Sequence, residues 1–193
     1  MPRAGLTRDR VAEEAAVMAD EVGLAKLTLA ALADRLGVRQ PSLYKHIDSM
    51  AGLQRDMAVH AKRDLGGVLA RASVGRSGAD AISSMSHAYR DWARAHPARY
   101  EASNLMPAPG DVEDEAVSLE AVQLIADVLA AYNLEGDDAI DAIRAFRATL
   151  HGFVSLETSG SFALAADVDR SFDRLVRGFI AALAQWTGDT AAS

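Results

Sequence analysis

The chain has 193 residues, half of them apolar but only 6% aromatic, and a formal net charge of −7. That balance suits an Ala- and Leu-rich helical globule of one large or two small domains, and Val, Ile and Thr never gather into alternating strand-like runs. The absence of cysteine excludes a disulfide framework and a thiolate metal site and fits a reducing cytoplasm; no signal-peptide pattern or membrane-length apolar run stands out.

A first helix is expected from Thr7, an N-cap residue, to Val22, with Val11, Ala15, Met18 and Val22 on one face and Gly23 as its stop. Its other face (Arg8, Arg10, Glu13, Glu14, Asp20, Glu21) reads as solvated. Thr28 caps a second run, with Leu29, Leu32, Ala33 and Leu36 at helical spacing, and Gly37 ends it. After the turn Val38–Gln40, Pro41 and Ser42 open a short helix with Leu43 and Ile47 on its apolar side. Gln40, Ser42, Tyr44, Lys45 and His46 remain for the other side. Two short helices joined by a glycine-bearing turn form a helix-turn-helix signature.

Asp48 and Ser49 are expected to cap a fourth helix carrying Leu53, Met57, Ala61 and Leu65, ending near Ala72. The stretch SVGRSG at 73–78 is the clearest linker signal. The predicted domains are therefore 1–70 and 78–193, although a helix running through Gly66-Gly67 would couple them. A fifth helix with Ile82, Met85, Tyr89 and Trp92 should break at His96-Pro97, followed by an irregular piece with Tyr100, Leu105 and Met106. Helices are then expected over about 114–132, over a long segment carrying Ile140 to Val154, and over 168–186. Asp137 or Asp138 should cap the second of these. The tail GDTAAS should fray. The fold class is all-α, with about nine helices.

Charge is unevenly spread. Residues 1–70 hold 10 Lys and Arg against 9 Asp and Glu, a balance of +1, so the acidity belongs to the later part. A DNA reader of that balance would depend on a few placed contacts. Tyr44 stands apart, because the other ten aromatics lie between Tyr89 and Trp186. It falls at the margin of the Leu43–Ile47 stripe, where its hydroxyl can reach a phosphate or its ring can simply pack.

The stretch LTLAALADRLGVRQPSLYKHIDSMAGL resembles the DNA-binding domain of the TetR family of one-component transcriptional regulators. Its QPSLYKH run is similar to the tetracycline repressor branch, and the likeness covers about residues 7–70. The piece LHGFVSLETSGSF at 150–162 resembles a recurrent C-terminal domain type of that family. The resemblance implies an all-helical homodimer that sits on a palindromic operator and lets go when a small molecule enters the C-terminal ligand-binding and dimerisation domain. It assigns Thr28 to a phosphate, and Arg39, Gln40, Pro41 and Ser42 to the floor of the major groove. There Gln40 would read purine edges, Arg39 guanine, and Pro41 a thymine methyl. It assigns Tyr44, Lys45 and His46 to phosphates. At the start of the fourth helix the family often has a lysine where this chain has Met50, which implies a weaker or more salt-sensitive grip.

For the effector, Tyr89, Trp92, Tyr100, Leu105, Met106, Phe146 and Phe153 are candidate pocket residues, each open to a plain core role. His151, in mid-helix beside Gly152, reads as a core, interface or pocket histidine. No buried Arg/Lys pair pointing to an acidic ligand is apparent. Leu150, Val154, Leu175, Val176, Phe179 and Leu183 are candidates for a dimer interface built as a four-helix bundle. The five histidines share no metal-ligand spacing, and no HExxH or phosphate loop occurs, so no metal, cofactor or catalytic site is expected. Two other readings stay open: a helical ligand-binding or enzymatic protein whose N-terminal helices only pack, and a DNA-binding activator without a ligand.

Overall fold

The computed structural model describes residues 5–189, which pack as two compact units. One unit runs to Asp64 and takes in His96–Val117; the other comprises Leu65–Ala95 and the chain from Ser118 onward.

The first unit begins with α1 (Arg8–Val22), whose N-cap Thr7 accepts the Arg10 N–H at 3.2 Å. Val11 and Ala15 are fully buried, but Val22, the last position of the expected stripe, stays 38% exposed. A 3-10 turn, Leu24–Lys26, leads to α2 (Leu29–Leu36) and α3 (Gln40–Leu43). Next, Ser49 accepts the Gly52 N–H at 3.0 Å at the start of α4 (Met50–Ser73). Leu32, Leu43 and Leu53 are fully buried at the centre of one core. Each such side chain contributes about 1.5–3 kcal/mol by leaving water.

The face of α1 expected to be solvated is in fact engaged. Arg8 donates to both oxygens of Asp56 on α4, at 2.6 and 2.7 Å, and Arg35 on α2 pairs with Glu14 and Glu21. The Asp20 carboxylate accepts the Ala98 and Arg99 N–H groups at 2.9 and 3.1 Å. Those bonds cap α6 (Pro97–Ser103), a short helix where the sequence suggested irregular chain. Pro97 ends the preceding helix and also opens this one, since proline suits a first helical turn.

The first unit's opening stretch ends at Asp64, just short of the expected boundary at 66–78. The helix α4 runs unbroken through Gly66-Gly67, its early residues Leu53 and Met57 joining the first core and Leu69 the second. Segment His96–Val117 was expected in the C-terminal domain but packs in the first unit. The reason is electrostatic as well as apolar. Arg55 pairs with Asp111, and Lys62 pairs with Asp114 at 2.6 Å with both side chains buried.

The second unit contains α5 (Gly78–Ala95), most of α7 (Val112–Leu129), α8 (Gly136–Thr158) and α9 (Val168–Asp189). Its core gathers Ile82 and Met85 from α5, Phe146 and Leu150 from α8, and Phe172, Val176 and Leu183 from α9. The N-cap of α8 is Glu135, so Asp137 and Asp138 are not caps. They lie in the first turn, where carboxylates favour the helix dipole. Residues 190–193 of the tail expected to fray lie outside the described residues, and α9 itself continues to Asp189. Among the described residues no single helix is long and apolar enough to cross a membrane.

Candidate nucleic-acid interface

The interface is built by the α2–α3 pair. Thr28 caps α2 by accepting the Ala31 N–H at 3.2 Å, which leaves its hydroxyl proton for an outside acceptor. At the other end Gly37 adopts φ 66°, and Val38 N–H returns to the Ala33 carbonyl at 3.0 Å. A residue with a Cβ is strained in that left-handed conformation, so glycine here sets the turn. Pro41 lies in the first turn of α3, and beyond Leu43 the chain continues as hydrogen-bonded turns, His46 N–H to Leu43 O at 2.8 Å and Ile47 N–H to Leu43 O at 3.0 Å.

Leu43 and Ile47 are buried and fix this segment to the core. Arg39, Gln40, Pro41, Tyr44 and Lys45 are exposed around it, with Ser42 and His46 half-buried. Tyr44 is 54% exposed, which favours a contact outside the subunit over packing within it. Met50 half-buries against the same core and so presents no cation, while Asp48 is exposed.

The first unit, Met1–Asp64 with His96–Val117, holds 11 Lys and Arg against 14 Asp and Glu, a balance of −3, so the placement of its cations matters more than their sum. Arg8, Arg35, Arg55, Lys62, Arg63 and Arg99 each pair with a carboxylate of their own unit. Among the described residues, Arg39 and Lys45 enter no ion pair. Arg55 shows how complete the internal neutralisation is. Its hydrogen bonds hold the Asp111 carboxyl down at about 2, and Asp111, Glu113 and Asp56 in turn raise its own pKa against the opposing effect of burial.

The expected pocket residues do not converge. Tyr100, Leu105 and Met106 belong to the first unit, Tyr100 buried and the other two exposed. Phe146 is packed in the second core against Phe179 at 5.4 Å, Tyr89 packs partly buried against that core, and Trp92 is buried. His151 is exposed on α8, not in the core. Phe153 alone of the eight lines the apolar cavity at the α8–α9 connection.

The dimer candidates also need correction. Leu150, Val154, Val176 and Leu183 are buried in the subunit's own core, and Leu175 and Phe179 pack half-buried against it. A side chain already out of water gains nothing from a partner. The outward faces carry small residues instead: Ala148, Gly152 and Ser155 on α8, and Gly178, Ala181 and Ala182 on α9. A Cβ built on Gly152 or Gly178 would meet nothing within 4 Å. Two features escaped sequence reading altogether, the buried Arg90 with its carboxylate partners and the buried Lys62–Asp114 pair. Both join residues too far apart in sequence to leave a spacing signal.

Two short helices, a left-handed glycine turn, a buried anchor and an exposed polar and basic face define a helix-turn-helix DNA-binding module. Residues 11–57 match the family model described as bacterial regulatory proteins, tetR family, and residues 82–179 match tetracyclin repressor-like, C-terminal domain. An uncharacterized HTH-type transcriptional regulator of Mycobacterium tuberculosis, Rv0681, is 40% identical over 81% of this chain and 72% of the relative. Another, YobS of Bacillus subtilis, is 34% identical over 94% and 95%. The solved structure of BioQ with its double-stranded DNA operator shares the fold, with a TM-score of 0.62 at 22% identity, covering 92% of this chain and 99% of that one. The chain belongs to the tetR family and is a helix-turn-helix transcriptional regulator.

Proposed function

We propose that the chain is a cytoplasmic, non-enzymatic repressor that binds a palindromic operator as a homodimer and is released by a small-molecule effector. The observation that carries the reading is the placement of Arg39 and Lys45. They flank the short helix α3, exposed with Gln40 and Tyr44 on a segment whose other side is anchored by Leu43 and Ile47. Gln40 and Arg39 read base edges, Pro41 and Ser42 lie beside them, and Thr28, Tyr44, Lys45 and His46 hold phosphates. One such helix spans too few base pairs for specificity, and a two-fold dimer reads two half-sites roughly 34–36 Å apart.

Dimerisation through α8 and α9 is supported by their small outward residues. A glycine within a helix costs about 0.5–1 kcal/mol against alanine, and the subunit itself offers no steric reason for Gly152 or Gly178. Close approach of two partner helices supplies one, with His151 beside Gly152 at the same face. Effector control is supported by the tetracyclin repressor-like C-terminal match and by the apolar cavity in the second unit. A ligand that favours the non-DNA form by a few kcal/mol suffices to release the operator. The test is selection of bound sequences from random duplexes by the full chain at low salt. A palindromic consensus is expected; recovery of no consensus, or of one without two-fold symmetry, would refute the reading.

A further inference from the structure

Arg90, buried on α5, donates Nε to Glu157 Oε2 at 2.7 Å and Nη2 to Glu157 Oε1 at 2.6 Å. The same Nη2 donates to Asp169 Oδ1 at 2.7 Å. Glu157 is in the last turn of α8 and Asp169 in the first turn of α9. One side chain therefore fastens both ends of the loop at 159–167. Its guanidinium also lies 4.8 Å from the Phe172 ring centroid and 5.8 Å from that of Phe153. The fastened loop bounds a cavity of about 250 Å³ lined by Phe153, Ser161, Phe162, Leu164, Val168 and Ser171, among others.

The lining restricts what can enter. No charged side chain borders the cavity. The two hydroxyls at its wall each already make a hydrogen bond, Ser171 Oγ donating to Asp167 O at 2.9 Å and Ser161 Oγ bonding Ser159 Oγ at 2.8 Å. The nearby cation is matched by two carboxylates. A charged ligand would lose its water without gaining an opposite charge, whereas a neutral apolar one loses little. Phe153 and Phe162, with centroids 4.8 Å apart, offer ring faces and edges. At the mouth Leu164 is 89% exposed and Phe162 38% exposed, apolar surface that an occupant would cover. An apolar cavity of roughly 150 Å³ holds benzene, so this one has room for a substituted or bicyclic ring.

We infer that the cavity under the α8–α9 loop is an effector site for a small uncharged aromatic molecule, with Arg90 as the positioning residue that holds its lid. The effector role rests on the reading of the chain as a ligand-released repressor; the binding site does not. Indole and its charged analogue indole-3-carboxylate are the probes, titrated into the full chain by calorimetry and by backbone amide NMR. Saturable indole binding is expected, with shifts confined to residues 153–171 and Arg90, and the carboxylate should bind at least about tenfold more weakly. Ala163→Phe, on the exposed loop, should reduce indole binding without changing operator affinity in the absence of indole. Arg90→Met leaves the half-buried Glu157 with only Arg94, at 3.8 Å, and can destabilise the chain, so Asp169→Asn, at an exposed partner, is the companion variant. It should speed amide exchange in 159–167 and weaken indole binding while the fold persists. The site is overturned by no saturable binding, by shifts centred elsewhere, or by equal binding of the carboxylate. Indole that binds there yet leaves the affinity for a selected operator unchanged overturns the effector role. If no operator is selected, the repressor reading fails while the binding titration still decides the site.

Discussion

Replacing Lys45 by alanine isolates the electrostatic part of operator binding. Lys45 is exposed and enters no ion pair among the described residues, so its full charge is available to a phosphate, and its loss should change fold stability by no more than about 0.5 kcal/mol. A two-fold dimer presents it twice. Each neutralised phosphate contributes about 0.9 to the slope of log affinity against log salt, so the variant's slope should be shallower by about 1.8. Between about 50 and 200 mM salt the parent should then lose roughly 12-fold more affinity than the variant. The assay is fluorescence anisotropy on a selected operator over that salt range, with thermal melting to verify the fold. Gln40→Ala is the contrast: it should leave the slope unchanged, cost about 1–3 kcal/mol per contact and relax preference at one base position. An unchanged slope in Lys45→Ala, with the fold intact, would refute the phosphate role.

Lys62→Ala should destabilise the chain by about 3–5 kcal/mol in urea unfolding, because it leaves Asp114 buried and unpaired; Lys62→Met with Asp114→Leu should recover most of that. The His87 ring nitrogens face two acceptors, Ser83 O at 2.8 Å and Asp173 Oδ1 at 2.9 Å, which only the protonated ring satisfies in full. Partial burial alone would lower its pKa, but the Ser83 carbonyl and the Asp173 and Asp91 carboxylates outweigh it and the net shift is upward. Its contribution to stability is therefore complete below about pH 6.5, the unfolded value, and fades as pH rises through the raised native value. His87→Gln should flatten that fall in melting temperature, and an unchanged profile would remove His87 as its source. Gly152→Arg should shift the chain from dimer to monomer in sedimentation and weaken operator binding; a persisting dimer would move the interface away from α8.

The parts of this fold that could be read in the sequence are those whose partners lie within one helical turn. Thr7, Thr28 and Ser49 each accept an N–H three residues on, so residue type and position together announce the cap. The anchoring of α3 was readable for the same reason, since Leu43 and Ile47 stand one turn apart. Asp20 gave no such signal, because the first N–H it accepts lies 78 residues later. The segment His96–Val117 was misplaced for want of the same information, its tethers being Asp20, Arg55 and Lys62. Apolar periodicity on α8 and α9 correctly identified faces that leave water. It carries no information on whether a face meets its own core or a second subunit, and here Leu150, Val154, Val176 and Leu183 meet their own.

Summed charge misled in a related way. A balance of +1 over the first 70 residues suggests weak attraction to DNA, and counting cannot distinguish a paired arginine from an unpaired one. In the folded unit many of the acids pair with Arg8, Arg35, Arg55, Lys62, Arg63 and Arg99, which fasten α1, α2, α4 and the 96–117 segment to one another. Those pairs engage six cations with eight carboxylates. Among the described residues, Arg39 and Lys45 remain unpaired on either side of α3, in the segment that Leu43 and Ile47 hold in place. These two cations thus stand among the base-reading groups, and a modest total is compatible with salt-sensitive, sequence-selective binding.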